Sequence, residues 1–487
     1  MEFAIENQPL LAYQGDGLAV GIFEGEGLTK LAQLDEKLDG QLSEIVSEEQ
    51  FKGKVGTKVS LRTAPGFPVR KVILVGLGTQ EKYNLDGARR AAAVAVRAAQ
   101  QLKCKTLGFS LPGPDPATLQ AAVEGSALAV HEFKKFKSQP TEPAETPTAP
   151  PTMTLLGQGA ENTIARGQAV AAGTLLAREL VSAPANYVTP SYLAEQAQEL
   201  TTWGLDCQIL EQADCAALGM GAYLGVAQGS DLPPKFIHLT YTGAGEITRR
   251  LAIVGKGITF DSGGLSIKSA KGMELMKFDM GGAAATLGAA RAIAELKPAG
   301  VLVHFIVAAT ENMPSGKAVH PGDILTASNG KTIEVDNTDA EGRLTLADSL
   351  VYAEKLEVDA IVDLATLTGA CMVALGNDVA GLFSEDPALS KEIEQAAELA
   401  GEKVWPMPMD VPYFDSMKSL VADMKNIGGQ YGGAITAALF LKQFIIKTPW
   451  LHLDIAGPVW SERQHGYINK GATGFGVRTL VNWVLGR

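Results

Sequence analysis

Apolar and polar positions along the chain switch between two periods. Runs rich in Val, Ile and Leu at 17–24, 58–64 and 71–76 read as strands, while 84–102 and 115–133 carry Ala and Leu on one face at helical spacing. Their alternation predicts a small α/β domain. From 137 to 152 the chain places Pro140, Pro143, Pro147, Pro150 and Pro151 among Thr, Glu and Ala, so residues of about 138–152 are expected to be exposed and irregular. Because Met153-Thr154-Leu155-Leu156 then reads as one more short strand, the proline segment is an excursion within a first domain of residues 1–160. A helical pattern at about 162–181 predicts a connecting helix over 161–183. Ser182-Ala183-Pro184-Ala185-Asn186 ends it, and Pro190 suits the first turn of the next helix. From 184 to 487, apolar runs at 235–242, 251–254, 301–308, 358–364 and 451–455 alternate with helical stretches at 190–203, 281–296, 388–400 and 431–446. This predicts a larger α/β domain with a central mixed, mostly parallel sheet flanked by helices. No fixed-period repeat is found.

Composition narrows the class of protein. Of 487 residues, 46% are hydrophobic and 20% charged, which gives material for a large core and excludes global disorder. A net charge of -12 argues against a general nucleic-acid surface and favours small or peptide ligands. Cys104, Cys207, Cys215 and Cys371 form no C-x-x-C pair, so they read as core thiols of a reducing compartment and offer no thiolate zinc site. Met1-Glu2-Phe3-Ala4-Ile5-Glu6 has acidic residues where an export signal would carry positive charge. The apolar stretch 434–446 is interrupted by Lys442 and Gln443 and is too short to span a membrane, so it reads as a buried helix. A cytoplasmic location is the expectation.

Candidate chemistry gathers where apolar runs end, since ligand sites of open α/β sheets collect beyond the carboxyl ends of strands. After 251–254 comes Gly255-Lys256-Gly257-Ile258-Thr259-Phe260-Asp261-Ser262-Gly263-Gly264, after 301–308 comes Thr310-Glu311-Asn312, and after 358–364 comes Ala365-Thr366-Leu367-Thr368-Gly369. In Asn337-Thr338-Asp339-Ala340-Glu341-Gly342-Arg343-Leu344, two carboxylates and a guanidinium alternate. If this stretch runs extended, Asp339, Glu341 and Arg343 share one face that binds a cation beside an anion; taken alone it also fits a solvated acidic loop. No H-E-x-x-H or other paired-histidine spacing occurs, so a metal would rest on carboxylates, and Asp261, Asp279, Asp339 and Glu341 converging would need about two divalent ions to neutralise them. Asp279 fits equally an N-terminal cap for the helix opening at Met280-Gly281-Gly282-Ala283. Lys256 between two glycines invites a phosphate reading, but G-x-x-x-x-G-K-[ST] is absent and Gly76-Leu77-Gly78 lacks the third glycine of a dinucleotide fingerprint. His452 reads as a satisfied core histidine and His320 as a turn residue.

These motifs, with Ser266-Ile267-Lys268 and Asp279-Met280-Gly281-Gly282, together resemble the leucyl aminopeptidase (cytosol aminopeptidase) family of two-metal exopeptidases from about residue 184 onward. The resemblance implies that Lys256, Asp261, Asp279 and Glu341 hold one metal, and that Asp261, Asp339 and Glu341 hold the other with the Asp339 carbonyl. It also implies that Lys268 polarises the scissile carbonyl and that Arg343 holds a bicarbonate serving as general base. Two Mn²⁺ or Zn²⁺ ions per subunit, peptide substrates and a homohexamer belong to the same implication. Met276, Thr366, Leu367, Gly369, Ala456 and Val459 would line a mostly apolar pocket suited to an N-terminal leucine or similar residue. The alternative is a metal-containing α/β binding or regulatory protein acting through ligand or nucleic-acid contacts; seven occupied active-site positions and the acidic balance weigh against it.

Overall fold

The computed structural model describes residues 1–138 and 149–486. Pro140, Pro143 and Pro147 of the proline-rich segment lie outside the described residues. Pro150 is exposed, but Pro151 is buried, so the exposed stretch expected to reach 152 ends before it. The chain forms two compact units: Met1–Ala171 with Arg463–Asn469, and Ala172–Glu462 with the residues from Lys470 on. The helix Thr163–Ser182 passes through the division. Residues 463–469 fall inside the span expected for the larger domain but group with the first unit, because Tyr467 donates to Asp86 at 2.7 Å and Arg97 to Asn469 at 2.7 Å.

The first unit is built on strands β1 (Phe3–Glu6), β2 (Gly15–Phe23), β3 (Lys58–Arg62), β4 (Val69–Gly78), β5 (Thr106–Ser110) and β6 (Thr152–Leu156) in the order β1-β6-β5-β2-β4-β3. All pairs are parallel except β3 with β4. Small residues let the helices Leu85–Gln101 and Pro116–Ala129 close on the sheet: Ala88, Ala92, Ala95 and Ala99 share a core with Ile73, Val75 and Phe109. Asn84 and Asp115 cap these helices by accepting from Gly87 N and Thr118 N. Another cluster unites Leu34, Leu38 and Leu42 with Val20, Ile22, Val72 and Leu74.

The second unit contains β7 (Asp206–Leu210), β8 (Lys235–Thr242), β9 (Arg249–Asp261), β10 (Val301–Asn312), β11 (Ile324–Thr326), β12 (Thr332–Glu334), β13 (Ala360–Ala365), β14 (Val379–Phe383), β15 (Lys403–Pro406), β16 (Met424–Lys425) and β17 (Trp450–Asp454). Eight of them make a mixed sheet, β15-β14-β17-β13-β9-β10-β8-β7, whose centre β17-β13-β9-β10 is parallel. Its continuous burial along β9, β10 and β13 explains why these strands read as unbroken apolar runs. Strands β11, β12 and β16 form a small separate sheet.

Strand β9 is longer than its apolar run suggests and carries Lys256 within it, not in a following loop. Glycines explain this. A Cβ on Gly255 would lie 2.5 Å from Gly282 O, and one on Gly282 would lie 2.0 Å from Leu364 O, so the helix Gly281–Leu296 touches the sheet backbone to backbone. A bulge between Thr310 and Asn312 in β10 sets Asn312 opposite Asp261.

Candidate metal centre

Because the four central strands run parallel, their carboxyl ends share one edge, and Asp261, Asn312, Thr366 and Asp454 are delivered there by β9, β10, β13 and β17. Beyond β9 the backbone turns sharply. Gly263 sits at φ 86°, and a Cβ there would lie 2.8 Å from Asp339 Oδ1, so only glycine allows the Asp339 carboxylate to lie against this turn. Thr338 fixes the approach by donating to Gly263 O at 2.6 Å and accepting from Ser266 N at 2.8 Å.

The octapeptide is not extended. Residues 337–340 form a turn, Glu341 has helical dihedrals (φ -82°, ψ -35°) and the helix Gly342–Glu354 begins at once, which corrects the alternating-face expectation. Glu341 nevertheless meets Lys256 at 2.9 Å, while Arg343, two positions on, reaches Asn426 O at 2.8 Å. Asp279 also differs from the cap reading: the helix cap is Met280, and the Asp279 carboxylate accepts from Thr366 Oγ1 at 2.8 Å and from Lys256.

Carboxylate oxygens of Asp261, Asp279 and Glu341 come within 4.8 Å of one another, and all three residues are buried. Lys256 Nζ lies 2.7 Å from Asp279 and 2.9 Å from Glu341, and donates to Thr366 O at 3.0 Å. Lys268 Nζ lies 2.7 Å from Asp261 and 2.5 Å from Asp339. Two lysines thus hold four carboxylates in pairs. Asn312 Nδ2 donates to Asp261 Oδ1 at 2.8 Å and to Thr338 O at 2.9 Å, and Gly263 N adds a bond to Asp261 Oδ1 at 2.9 Å.

Burial raises the pKa of Asp261, Asp279 and Asp339, with the neighbouring carboxylates adding to the effect and Lys256 and Lys268 opposing it. Burial alone would lower the pKa of Lys256 and Lys268, but the acids around each raise it instead. Arg343 is pushed down to about 10 by burial, against the attraction of Glu341 and Asp454. Its Nη1 donates to Asn426 O at 2.8 Å, while its Nε has no hydrogen-bond acceptor.

The donor set suits hard divalent cations. Asp279 Oδ2 and Asp339 Oδ1 are buried without a hydrogen bond of good geometry, and the carboxylates outnumber the two ammonium groups that reach them. Lys256, Asp261, Asp279, Asp339 and Glu341 all stand in this cluster or directly against it. Among the expected pocket residues, Thr366 and Val459 converge on Gly281, where a Cβ would lie 3.5 Å and 2.4 Å from them. Leu367 N and Ala456 N donate to one oxygen of Asp454, each at 3.2 Å. Met276 is half-buried one turn before Asp279, and Gly369 opens a short helix on an exposed edge.

Comparison with known proteins decides the family. The catalytic-domain model of the cytosol aminopeptidase family matches residues 175–481, and the model of its N-terminal domain matches 19–140. The chain belongs to the cytosol aminopeptidase family. It is 60% identical over 482 residues to a probable cytosol aminopeptidase of Cyanothece sp., covering 97% of both chains. With that of Nostoc punctiforme it shares 59% over 488 residues, covering 99% of this chain and 98% of the relative. A tomato leucine aminopeptidase mutant superposes with a TM-score of 0.91 at 45% identity, covering 100% of this chain and 96% of the other. The bottromycin maturation enzyme BotP in complex with Mn gives 0.85 at 33% identity, with 97% and 99% covered. As a cytosol aminopeptidase the chain is a metal-dependent exopeptidase acting on peptides.

Sequence reasoning did not assign Asn312, Asn426 or Asp454 to this aminopeptidase's centre. Asn312 had a signal, a polar residue closing a long apolar run. Asp454 stands likewise in the apolar run 451–455, whereas Asn426 had no signal nearby, since the partners of its side-chain amide lie almost ninety positions away. His452 is fully buried with Nδ1 2.6 Å from Asp363, yet its Nε2 has no partner, so it is a core histidine satisfied on one side only. His320 lies in a turn, its N donating to Asp323. Cys207 is half-buried where the other three cysteines are buried. Among the described residues no helix is long and apolar enough to cross a membrane.

Proposed function

We propose that this aminopeptidase holds two divalent ions, Mn²⁺ or Zn²⁺, on Asp261, Asp279, Asp339, Glu341 and Lys256, the last as the neutral amine left when an ion takes the place of its proton between Asp279 and Glu341, and uses Lys268 and Arg343 on the reacting peptide. The observation that carries the reading is the buried meeting of four carboxylates from separate segments around two lysines. When bound, such ions supply Lewis acidity, an acidified water and a seat for a free α-amino group.

The remaining steps fall to the chain. Lys268 is the accessible lysine, its side chain 22% exposed against 4% for Lys256, so it faces an incoming peptide. Asp261 and Asp339 keep it protonated, and it donates to the carbonyl oxygen as negative charge develops there. Arg343, anchored at Nη1, keeps Nε for a small planar oxyanion, which supports bicarbonate in the role of proton acceptor. Met276, Thr366, Leu367, Gly369, Ala456 and Val459 frame the first side chain of the substrate. Apolar contacts of this kind discriminate by about 1–3 kcal/mol per methylene, so leucine leads a broad range.

The assembly proposed is a homohexamer, in the cytoplasm. Both follow from the resemblance, and apolar exposure on residues 411–431, where Val411, Leu420, Val421 and Tyr431 are more than half exposed, supports a subunit interface there.

The test is hydrolysis of a leucyl anilide. Chelation is expected to abolish it, Mn²⁺ or Zn²⁺ to restore it, and Glu341→Gln to remain inactive with metal added. Undiminished hydrolysis by that variant overturns the mechanism.

A further inference from the structure

We infer that Asn426 is the positioning residue that shapes the metal-ligand turn 336–341 and fixes Arg343 to it. The inference rests on the metal reading above and adds a residue outside its ligand set. Asn426 follows β16, is fully buried, and uses every polar group it has. Its Oδ1 accepts from Asp336 N at 2.9 Å and Asn337 N at 3.3 Å. Its Nδ2 donates to Asn337 O at 2.6 Å and Ala340 O at 3.3 Å. Its own N–H donates to Glu334 O at 2.9 Å, and its carbonyl accepts from Arg343 Nη1 at 2.8 Å.

One side chain therefore closes the turn from both sides. Two N–H groups and two carbonyls must be met at once, and only a terminal amide offers both an acceptor and donors. Aspartate has the same shape without the donors, and would set carboxylate oxygen against two carbonyls. Glutamine is one methylene too long for a fully buried space. Because Asn337 Oδ1 in turn accepts from Asp339 N at 2.9 Å, the amide of Asn426 passes its order to the first ligand of the turn, while its backbone ties the anion-holding guanidinium to the same frame.

Residues that orient ligands in this way typically change metal affinity about 10–100-fold when replaced. The experiment is Mn²⁺ titration of the full-length protein, reading free Mn²⁺ by electron paramagnetic resonance, with circular dichroism as the check of folding. Asn426→Asp, and Asn426→Ser should the first variant fail to fold, are expected to bind Mn²⁺ at least tenfold more weakly than the unaltered protein. The control is Asp423→Ala, which removes an acceptor for Thr332 N and Oγ1 on the same segment without touching the centre, and is expected to bind normally. Unchanged binding by folded Asn426 variants overturns the assignment, as does equal weakening in the control. If the unaltered protein takes up neither Mn²⁺ nor, in a parallel titration, Zn²⁺, the metal reading itself fails and this inference with it.

Discussion

Two glycines beside Lys256 separate tolerance of fold from tolerance of function. A Cβ at Gly342 would lie 2.4 Å from Lys256 Cε and 2.6 Å from its Nζ, whereas at Gly282 it would meet the Leu364 carbonyl at 2.0 Å. A side-chain end can retreat; a strand backbone cannot. Gly342→Ala is therefore expected to fold and lose activity about tenfold or more, since Lys256 leaves Asp279 and Glu341. Gly282→Ala should fail to give soluble folded protein. Circular dichroism with an activity assay distinguishes the two, and equal behaviour of the variants would contradict the geometry.

At the level of elements, strands β8 and β10 hold a pair of histidines outside the centre. His238 Nε2 lies 2.9 Å from His304 Nδ1, and its Nδ1 lies 3.0 Å from Tyr352 OH. Burial first, and His304 second, push the His238 pKa down to about 4. The unfolded chain takes up a proton near pH 6.5 and the folded one only near 4, so between these values the unfolded state binds more protons and stability falls as pH falls. By pH 5 the loss is on the order of 2 kcal/mol. Urea unfolding at pH 7.5 and pH 5 is expected to show a larger loss for the unaltered protein than for His238→Gln. Equal losses would remove the pair as the cause.

Element assignment also marks where the sequence could be read and where it could not. Buried parallel strands and alanine-faced helices announce themselves, because one long apolar run or one repeating face is a local property. The turn 337–341 does not, since what bends it is Asn426, almost ninety positions away, and local alternation of charge suggested an extended strand instead. Lys256 was displaced from β9 for a related reason: flanking glycines look like loop, yet here they serve close packing of a helix on a strand. The side chains that gather at this edge, Lys256, Asp261, Lys268, Asp279, Asp339 and Glu341, were nonetheless singled out through family resemblance, as each motif keeps its acids and lysines in order.

For the whole molecule, apolar exposure on residues 411–431 makes assembly the quantity to measure. Light scattering is expected to give a mass six times that of the chain, and Leu420→Asp with Val421→Asp to lower it. A monomeric unaltered protein would remove the hexamer. The order of strands has a different consequence. Strand β17, which follows β14 and β15 in the chain, inserts between β13 and β14, and Asp454 at its end ties together Leu367 and Ala456. Non-local pairing of this kind forms late, because distant segments must first be brought together. A chain still emerging from the ribosome thus lacks the strand that completes its own sheet. Until Trp450–Asp454 has joined the sheet, the ends of β13 and β17 lack the aspartate that holds Leu367 and Ala456 together.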